Sequence, residues 1–137
     1  MHDYYMKEAI QQANKALNKN EVPVGAVIVR NNKIIAKAFN KKEKTHDCTQ
    51  HAEMLVIQQA SKKIKNWRLD DCTIYVTMEP CMMCCGAIQQ ARIKTIVYGI
   101  KNENFGYTKE IKNIEIVPNI CEKECKELIQ NFFLNLR

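Results

Sequence analysis

The sequence has no long hydrophobic run, and it has no internal repeat, linker or low-complexity segment. No stretch approaches the roughly 20 consecutive apolar residues that a helix needs to cross a bilayer, which argues against a membrane-spanning protein. The N-terminus also lacks the apolar core of a secretory signal, so we expect a cytoplasmic protein with no membrane partner. The length of 137 residues fits one domain, 1–137, built around a single core.

The cysteines do not have the pattern of a disulfide framework. There are seven of them, an odd number, and no export signal accompanies them. We therefore interpret them as reduced thiols and metal ligands. Cys48 and Cys72 are expected to be small apolar filler residues. Cys85 is expected to pack rather than to ligate, because its side chain points about 100° away from that of Cys84 on a helix.

Negative charge is in the minority. The chain has 21 Lys and Arg residues against 15 Asp and Glu residues, a net charge of +6. Such a balance favours encounter with a polyanion such as nucleic acid, although it does not specify a ligand. The lysine-rich segment 41–47 is either a solvated surface or a place where a phosphate backbone passes beside a site.

Hydrophobic periodicity predicts an alternation of helices and strands. Helices are predicted at 3–18, 51–63, 81–91 and 121–136, and strands at 22–29, 33–39, 72–77, 94–99 and around 113–117. Asn31-Asn32 predicts a hairpin turn between the first two strands. The strand, helix and strand between 72 and 99 form a βαβ unit, so we expect a mixed α/β sheet with helices on both sides. Trp67 is expected to be a core aromatic, and Gly25 to allow close approach of a ligand to the backbone.

Two short motifs, His51-Ala52-Glu53 and Pro80-Cys81-Met82-Met83-Cys84, predict a metal site. One imidazole and two thiols suit Zn²⁺, and three protein ligands leave a fourth tetrahedral position for water. His51 and Glu53 are about 200° apart around a helix, so they converge only at a helix end. We expect His51 in the first turn of a helix capped by Thr49 or Gln50, and Cys81 and Cys84 in the first turn of a second helix that Pro80 begins. Glu53 would then lie beside the metal without ligating it.

The pair of motifs resembles the signature of the zinc-dependent nucleobase deaminases, the cytidine/deoxycytidylate deaminase-like superfamily. Further segments make the chain similar, over about residues 4–135, to the bacterial tRNA-specific adenosine deaminases. The resemblance implies a cytidine-deaminase-like three-layer α/β/α sandwich with a five-stranded mixed sheet. It also implies a homodimer with one Zn²⁺ per subunit, held by His51, Cys81 and Cys84. The segments are Glu21-Val-Pro-Val-Gly-Ala26, Asn40, His46-Asp47, Thr77-Met-Glu79, Gly86-Ala87, Arg92-Ile93 and Val97-Tyr-Gly99.

The activity that this resemblance implies is hydrolytic deamination of the wobble adenosine to inosine in the anticodon loop of an arginine tRNA. A zinc-activated hydroxide would attack C6 of adenine, with Glu53 serving as general base and then as general acid. The resemblance also implies that Asn40 and Val24 line the base pocket. The backbone N–H of Ala52 or of a neighbour would orient the reacting group.

Two departures from the family pattern leave alternatives open. Asn102 stands where the family commonly has aspartate, and Leu134 stands where it has arginine, which leaves Arg137 as the candidate phosphate contact. One alternative is a deaminase of the same superfamily that acts on a free base or nucleoside, guanine or cytosine. The other is a non-catalytic, zinc-bearing RNA-binding module. The basic loops and the C-terminal helix favour the tRNA enzyme over the first, and the intact Glu53 argues against the second.

Overall fold

A computed structural model describes residues 1–136; Arg137, the candidate phosphate contact, lies outside the described residues. Its five strands are β1 (Gly25–Arg30), β2 (Lys33–Phe39), β3 (Cys72–Met78), β4 (Thr95–Ile100) and β5 (Glu115–Val117). They form one sheet in the order β2-β1-β3-β4-β5. The β1 strand runs antiparallel to β2 and β3, whereas β3, β4 and β5 are parallel. The mixed five-stranded sheet is therefore confirmed.

Helices cover both faces of the sheet. The described elements are α1 (His2–Leu17), α2 (Lys42–Thr45), α3 (Ala52–Ile64), α4 (Met82–Gln90), α5 (Glu122–Asn135) and a 3₁₀ turn, Thr108–Glu110. One hydrophobic cluster joins α3 and α4 to the sheet, and a second joins α1 and α5 to its opposite face. The three-layer α/β/α sandwich is thus confirmed. Within residues 1–136, none of the helices combines the length and the apolar character needed to cross a bilayer.

Side chains of β1 alternate between the two faces of the sheet and pack against both helical layers. Ile28 is buried in the cluster under α3 and α4, and its neighbour Val27 is buried in the cluster under α1 and α5. Successive strand residues point to opposite faces, so a central strand with both faces covered is apolar throughout. The uninterrupted apolar run at the start of β1 reflects this double burial.

Trp67 and Cys48 are exposed, so the predictions of a core aromatic and of a filler cysteine were wrong. The Trp67 side chain is 57% exposed. The guanidinium groups of Arg68 and Arg92 lie 5.3 Å and 5.8 Å from its ring centroid. Cys48 lies in the turn before α3 and is also exposed. Apolar character alone did not predict burial in these two connections, because the connections run over the surface.

Gly25 does allow a close approach to its backbone, but the group that approaches it is helix α1 and not a ligand. A Cβ atom at Gly25 would lie 2.1 Å from the carbonyl oxygen of Ala9 and 2.4 Å from the backbone nitrogen of Ala13. The absence of a side chain at this position lets α1 pack directly onto the start of β1. The expectation of a ligand contact at Gly25 was therefore wrong.

Candidate active site

A cleft of about 360 Å³ opens at one end of the sheet, where β1 begins and where β2, β3 and β4 end. It lies at the carboxyl ends of the parallel strands β3 and β4, which is where open α/β sheets commonly bind ligands. Residues from both predicted motifs line it. The lining residues are Val22, Val24, Asn40, Lys42, His51, Ala52, Glu53, Met78, Glu79, Cys81, Asn102, Asn104, Phe105 and Phe133.

His51 and Cys81 are each the residue that immediately precedes a helix. Both have extended backbones, with φ −78° and ψ 152° at His51 and φ −78° and ψ 177° at Cys81. An N-cap residue takes such dihedrals while its carbonyl already accepts the first helical bond. The sequence placed both residues one position too far into their helices, and Thr49 and Gln50 are not the cap of α3. The helix ends nevertheless meet, as the spacing of His51 and Glu53 required.

Three potential ligands converge between the two helix N-termini. The Nδ1 atom of His51 lies 3.5 Å from the Sγ of Cys84 and 3.8 Å from the Sγ of Cys81. All three ligand atoms lie within 4.8 Å of one another. A tetrahedral zinc with ordinary Zn–N and Zn–S bonds would separate its nitrogen and sulfur ligands by about 3.5 Å. The donor set and its spacing therefore fit one metal ion of this kind.

The two thiols differ in acidity because they share hydrogen bonds. Hydrogen bonds with Cys84 and with the His51 ring lower the pKa of Cys81 to about 3. The pKa of Cys84 is raised, first because its hydrogen bond with Cys81 holds its proton and then because the side chain is buried. The positive ends of two helix dipoles point at the same place and also favour a thiolate. Of the two thiols, Cys81 therefore loses its proton more readily than Cys84.

Glu53 lies in the first turn of α3, beside the three ligands. Its side chain is buried, at 4% exposure. Burial raises the pKa of Glu53 to about 7, and a backbone hydrogen bond and the nearby His51 oppose this shift only in part. A carboxyl group with a pKa near neutrality can both accept and donate a proton at physiological pH. The site therefore places a proton-transfer group directly against a potential metal centre.

The structure brings Val24, Asn40 and Ala52 together on the walls of this cleft. The backbone N–H of Asn40 donates to the carbonyl of Val24 at 3.1 Å, which fixes the two residues relative to each other. Asn102, the position that departs from the family pattern, lines the same cleft. Leu134, the other departure, is 59% exposed and lines a separate surface cavity with residues of α5.

Lys42 lines the cleft from α2, a short helix within the lysine-rich segment 41–47, for which a phosphate contact was one of two expectations. Other residues of the cleft were not assigned a role from sequence. Asn104 and Phe105 lie in the connection after β4, and Phe133 comes from α5. These residues are distant in sequence from the two motifs, and their types are common on protein surfaces. Glu79 had the clearest signal, because it directly precedes the Pro80-Cys81 motif.

Comparison with known proteins agrees with this chemistry. The family model described as MafB19-like deaminase matches residues 1–137. The chain belongs to this deaminase family. A tRNA-specific adenosine deaminase of Bacillus subtilis (strain 168) is 42% identical over 145 residues, which cover 98% of this chain and 90% of that protein. The resemblance to the bacterial tRNA-specific adenosine deaminases is therefore confirmed.

Solved structures of other deaminases share the fold of this deaminase. One comes from a study of A-to-I editing by tRNA:A34 deaminases at the wobble position of transfer RNA. It superimposes with a TM-score of 0.86 at 32% identity, covering 91% of this chain and 98% of that chain. A guanine deaminase from Bacillus subtilis superimposes with a TM-score of 0.72 at 35% identity, covering 84% of this chain and 72% of that one.

Proposed function

We propose that this deaminase converts the wobble adenosine of an arginine tRNA to inosine by hydrolysis. One observation carries the proposal: His51, Cys81 and Cys84 converge beside the buried carboxyl of Glu53 in an open cleft. The identity of 42% with a tRNA-specific adenosine deaminase over nearly the whole chain supports the choice of substrate. The anticodon loop is single-stranded, so its bases can be splayed out of the stack and inserted into a cleft of this size.

We propose Zn²⁺ as the cofactor, held by the Nδ1 of His51 and the thiolates of Cys81 and Cys84. One nitrogen and two sulfurs within 4.8 Å of one another form a ligand set suited to this ion. A zinc ion there would supply Lewis acidity that lowers the pKa of water toward neutrality. Both cysteines would bind the ion as thiolates, and the hydrogen bonds that lower the pKa of Cys81 favour this form at one of them.

The carboxyl of Glu53 is proposed to move the protons of the reaction. In hydrolytic deamination, water adds its oxygen to C6 of adenine, the C6–N6 bond breaks, and ammonia leaves. Glu53 accepts one proton from the water and delivers it to the ring nitrogen N1. It then transfers the proton of the added hydroxyl to the amine, so that ammonia leaves and the C6 carbonyl of inosine forms. A single buried carboxyl with a pKa of about 7 can perform both steps, because it is neither a strong acid nor a strong base near pH 7.

Binding of the base is proposed to rest on Asn40, Val24 and Ala52. The amide of Asn40 offers both a donor and an acceptor to a purine edge. Val24 provides an apolar contact for the ring, and the backbone N–H of Ala52 or of a neighbour lies at the positive end of α3, where it can orient the reacting group. Lys42 adds positive charge at the edge of the same cleft, where a phosphate of the RNA backbone would pass.

Three further predictions belong to the same proposal. Residues 1–137 act as one zinc-dependent deaminase domain, two chains form a homodimer, and the protein works in the cytoplasm with no membrane partner. The dimer is expected because family members of this kind pair and line the RNA path from both subunits. Sedimentation at micromolar concentration would measure the mass, and a monomer at all concentrations would contradict this part of the proposal.

The direct test is to incubate the zinc-loaded protein with unmodified arginine tRNA carrying A34 and to measure inosine by nuclease digestion and mass spectrometry. The same tRNA with G34 is the matched control for position. We expect inosine from the A34 transcript alone. Inosine at other adenosines, or none at A34, would contradict the proposed substrate.

Guanine deamination is the second candidate function, because a guanine deaminase is 35% identical over 84% of this chain. The same preparation should therefore be incubated with guanine and with cytosine, and xanthine and uracil measured. Rapid xanthine formation without inosine would favour this candidate. Salt-dependent tRNA binding with no turnover of any of these substrates would instead favour a non-catalytic RNA-binding module.

A further inference from the structure

Two buried glutamates that take no part in the proposed reaction, Glu21 and Glu79, each hydrogen-bond one of the loops that flank the cleft. We propose that Glu21 and Glu79 are positioning residues that fix the loops on either side of the cleft in the conformation that binds substrate. The kinetic part of this inference rests on the proposed function, whereas its structural part does not. The two loops are residues 41–46, which contain α2, and residues 101–108, which follow β4.

Glu79 organises the 101–108 loop through both of its carboxylate oxygens. Its side chain is 5% exposed. Oε1 accepts the backbone N–H of Asn102 at 3.2 Å, and Oε2 accepts the backbone N–H of Thr108 at 3.2 Å as well as the Thr108 hydroxyl. One side chain therefore binds the first and last turns of the loop at the same time.

The 101–108 loop presents cleft residues from between these two anchor points. Asn102, Asn104 and Phe105 line the cleft, and Phe105 is 73% exposed at its rim. The backbone N–H of Gly106 donates to the Asn102 carbonyl at 2.9 Å, and that of Phe105 donates to the Asn102 Oδ1 at 3.2 Å. The loop is thus a closed turn whose side chains line the cleft and whose N–H groups at Asn102 and Thr108 face Glu79.

Glu21 makes the equivalent contacts on the opposite wall. Its side chain is 1% exposed. Oε1 accepts the backbone N–H of Glu43 at 2.9 Å, and Oε2 accepts that of Lys44 at 2.8 Å. Lys41, the N-cap residue of α2, makes no side-chain capping bond within the described part of the chain, so the Glu21 carboxylate takes that role from a distance in sequence. The result is a fixed position for Lys42 at the cleft.

These contacts matter for binding because a loop that is already ordered does not lose entropy when substrate arrives. Burying a carboxylate is costly unless hydrogen-bond donors satisfy it, and here each carboxylate receives at least two. Removing one acceptor leaves a backbone N–H unpaired and lets the loop sample other conformations. The expected consequence is weaker substrate binding, with little change in the proton-transfer step at Glu53.

Gly106 gives an independent way to disturb the same contact. A Cβ at this position would lie 2.2 Å from Oε1 of Glu79 and 2.6 Å from the Asn102 carbonyl oxygen. Gly106→Ala therefore forces the loop away from an intact carboxylate. Gly86 in α4 is the matched control, because a Cβ there meets no described atom within 4 Å.

The experiment compares zinc-loaded wild type, Glu79→Gln, Glu21→Gln, Gly106→Ala and Gly86→Ala. Amide hydrogen exchange by NMR should speed up at Asn102 and Thr108 in Glu79→Gln but not at Glu43 and Lys44, and the reverse should hold in Glu21→Gln. For the A34 tRNA we expect each Gln variant to raise KM about tenfold while kcat stays within about twofold. Gly106→Ala should match Glu79→Gln, and Gly86→Ala should match wild type.

The outcomes separate this inference from the proposed function. Unchanged exchange at the four amides would overturn the inference, as would faster exchange with an unchanged KM, or a loss confined to kcat. If Glu79→Gln does not fold, Gly106→Ala decides: wild-type exchange and KM in that variant overturn the inference. If wild type forms no inosine, the proposed function fails, and the exchange pattern alone still decides whether these carboxylates position the loops.

Discussion

At the cleft end of the sheet, the carboxyl groups of Glu21, Glu53 and Glu79 are buried at 1%, 4% and 5% exposure. At the opposite end, where β1 ends and β3 begins, acidic and basic side chains pair in solvent. Arg30 and Asp71 form an ion pair there at 2.8 Å, with side chains 37% and 52% exposed. We refer to this second region, residues 30–32 and 68–71, as the turn end.

Carboxyl groups have different roles at the two ends of the sheet because they are buried to different extents. At the turn end, the Arg30 hydrogen bond lowers the pKa of Asp71, but solvent and salt screen such a pair and it contributes little to stability. At the cleft end, burial raises the pKa of Glu53 to about 7. Buried acids therefore lie at the end of the sheet where they can hydrogen-bond loops and transfer protons, although burying them costs free energy. The following experiments test this difference between the two ends.

The largest effect is expected from Cys84→Ala at the cleft end. The variant removes one of three ligands, so we expect loss of stoichiometric zinc by elemental analysis and no detectable inosine. Cys85→Ala is the matched control, because Cys85 is an equally buried neighbour whose thiol donates to the Pro80 carbonyl at 3.7 Å and lies outside the ligand cluster. Zinc loss in Cys85→Ala as well, or full zinc in Cys84→Ala, would contradict the assigned ligands.

Glu53→Gln should lower turnover by about 10²–10⁴-fold, since this is the usual contribution of a general acid and base. The amide retains the shape of the carboxyl but does not accept a proton at neutral pH. Single-turnover rates on the A34 tRNA measure the effect, and elemental analysis should show that zinc is retained. A variant with near-normal rates would mean that another group moves the proton.

The burial of Glu53 also predicts a pH dependence of stability in metal-stripped protein. The carboxyl is neutral in both folded and unfolded chains below its ordinary pKa of 4.5, and it is ionised in both above about 7. Between these values the folded state holds the extra proton, so stability falls as pH rises, by up to about 3 kcal/mol. Glu53→Gln has no ionisable carboxyl at this position, so its stability does not fall in this way as pH rises. Urea unfolding of wild type and Glu53→Gln, both stripped of metal with a chelator, measures this. The free energy of unfolding of the variant should increase relative to that of wild type between pH 5 and pH 8. A difference that does not change with pH would argue against the raised pKa.

The smallest effect is expected at the turn end. Asp71→Asn removes the partner of an exposed Arg30, and we expect the melting temperature to change by less than about 3 °C. Deamination rates should be unchanged, because the residue lies at the far end of the sheet from the cleft. Scanning calorimetry and the inosine assay measure the two quantities. A large loss of activity would contradict this expectation and show that the two ends of the sheet are coupled.

Much of the fold could be predicted from sequence because its signals are local. The apolar run before Arg30 and the β-branched segment 72–77 each indicated a strand, and the structure has strands there. Asn31-Asn32 indicated a hairpin turn, and a turn joins β1 to β2 at these residues. Helix starts were misplaced by one residue at His51 and Cys81, because a cap is defined by backbone dihedrals and not by residue type alone. The exposure of Trp67 was missed, because it depends on where the connection after α3 runs.

The candidate ligands could be predicted because metal binding restricts residue type and spacing at once. One histidine and two cysteines in two motifs suggested the site, and the structure places their ligand atoms within 4.8 Å of one another. The walls of the cleft could not be predicted in this way. Phe105 and Phe133 reach it from a loop and a helix that are remote in sequence, and neither carries a motif of its own.

The sequence by itself determined the alternation of elements, the βαβ unit and the residues able to hold a metal, because each depends on patterns within a few neighbouring positions. Only the tertiary structure decided which acids are buried. It showed Glu21 and Glu79 accepting backbone N–H groups from loops 22 to 29 residues away, and Glu53 enclosed until its pKa rises. Burial and long-range hydrogen bonding depend on which segments pack together, and that is a property of the folded chain as a whole.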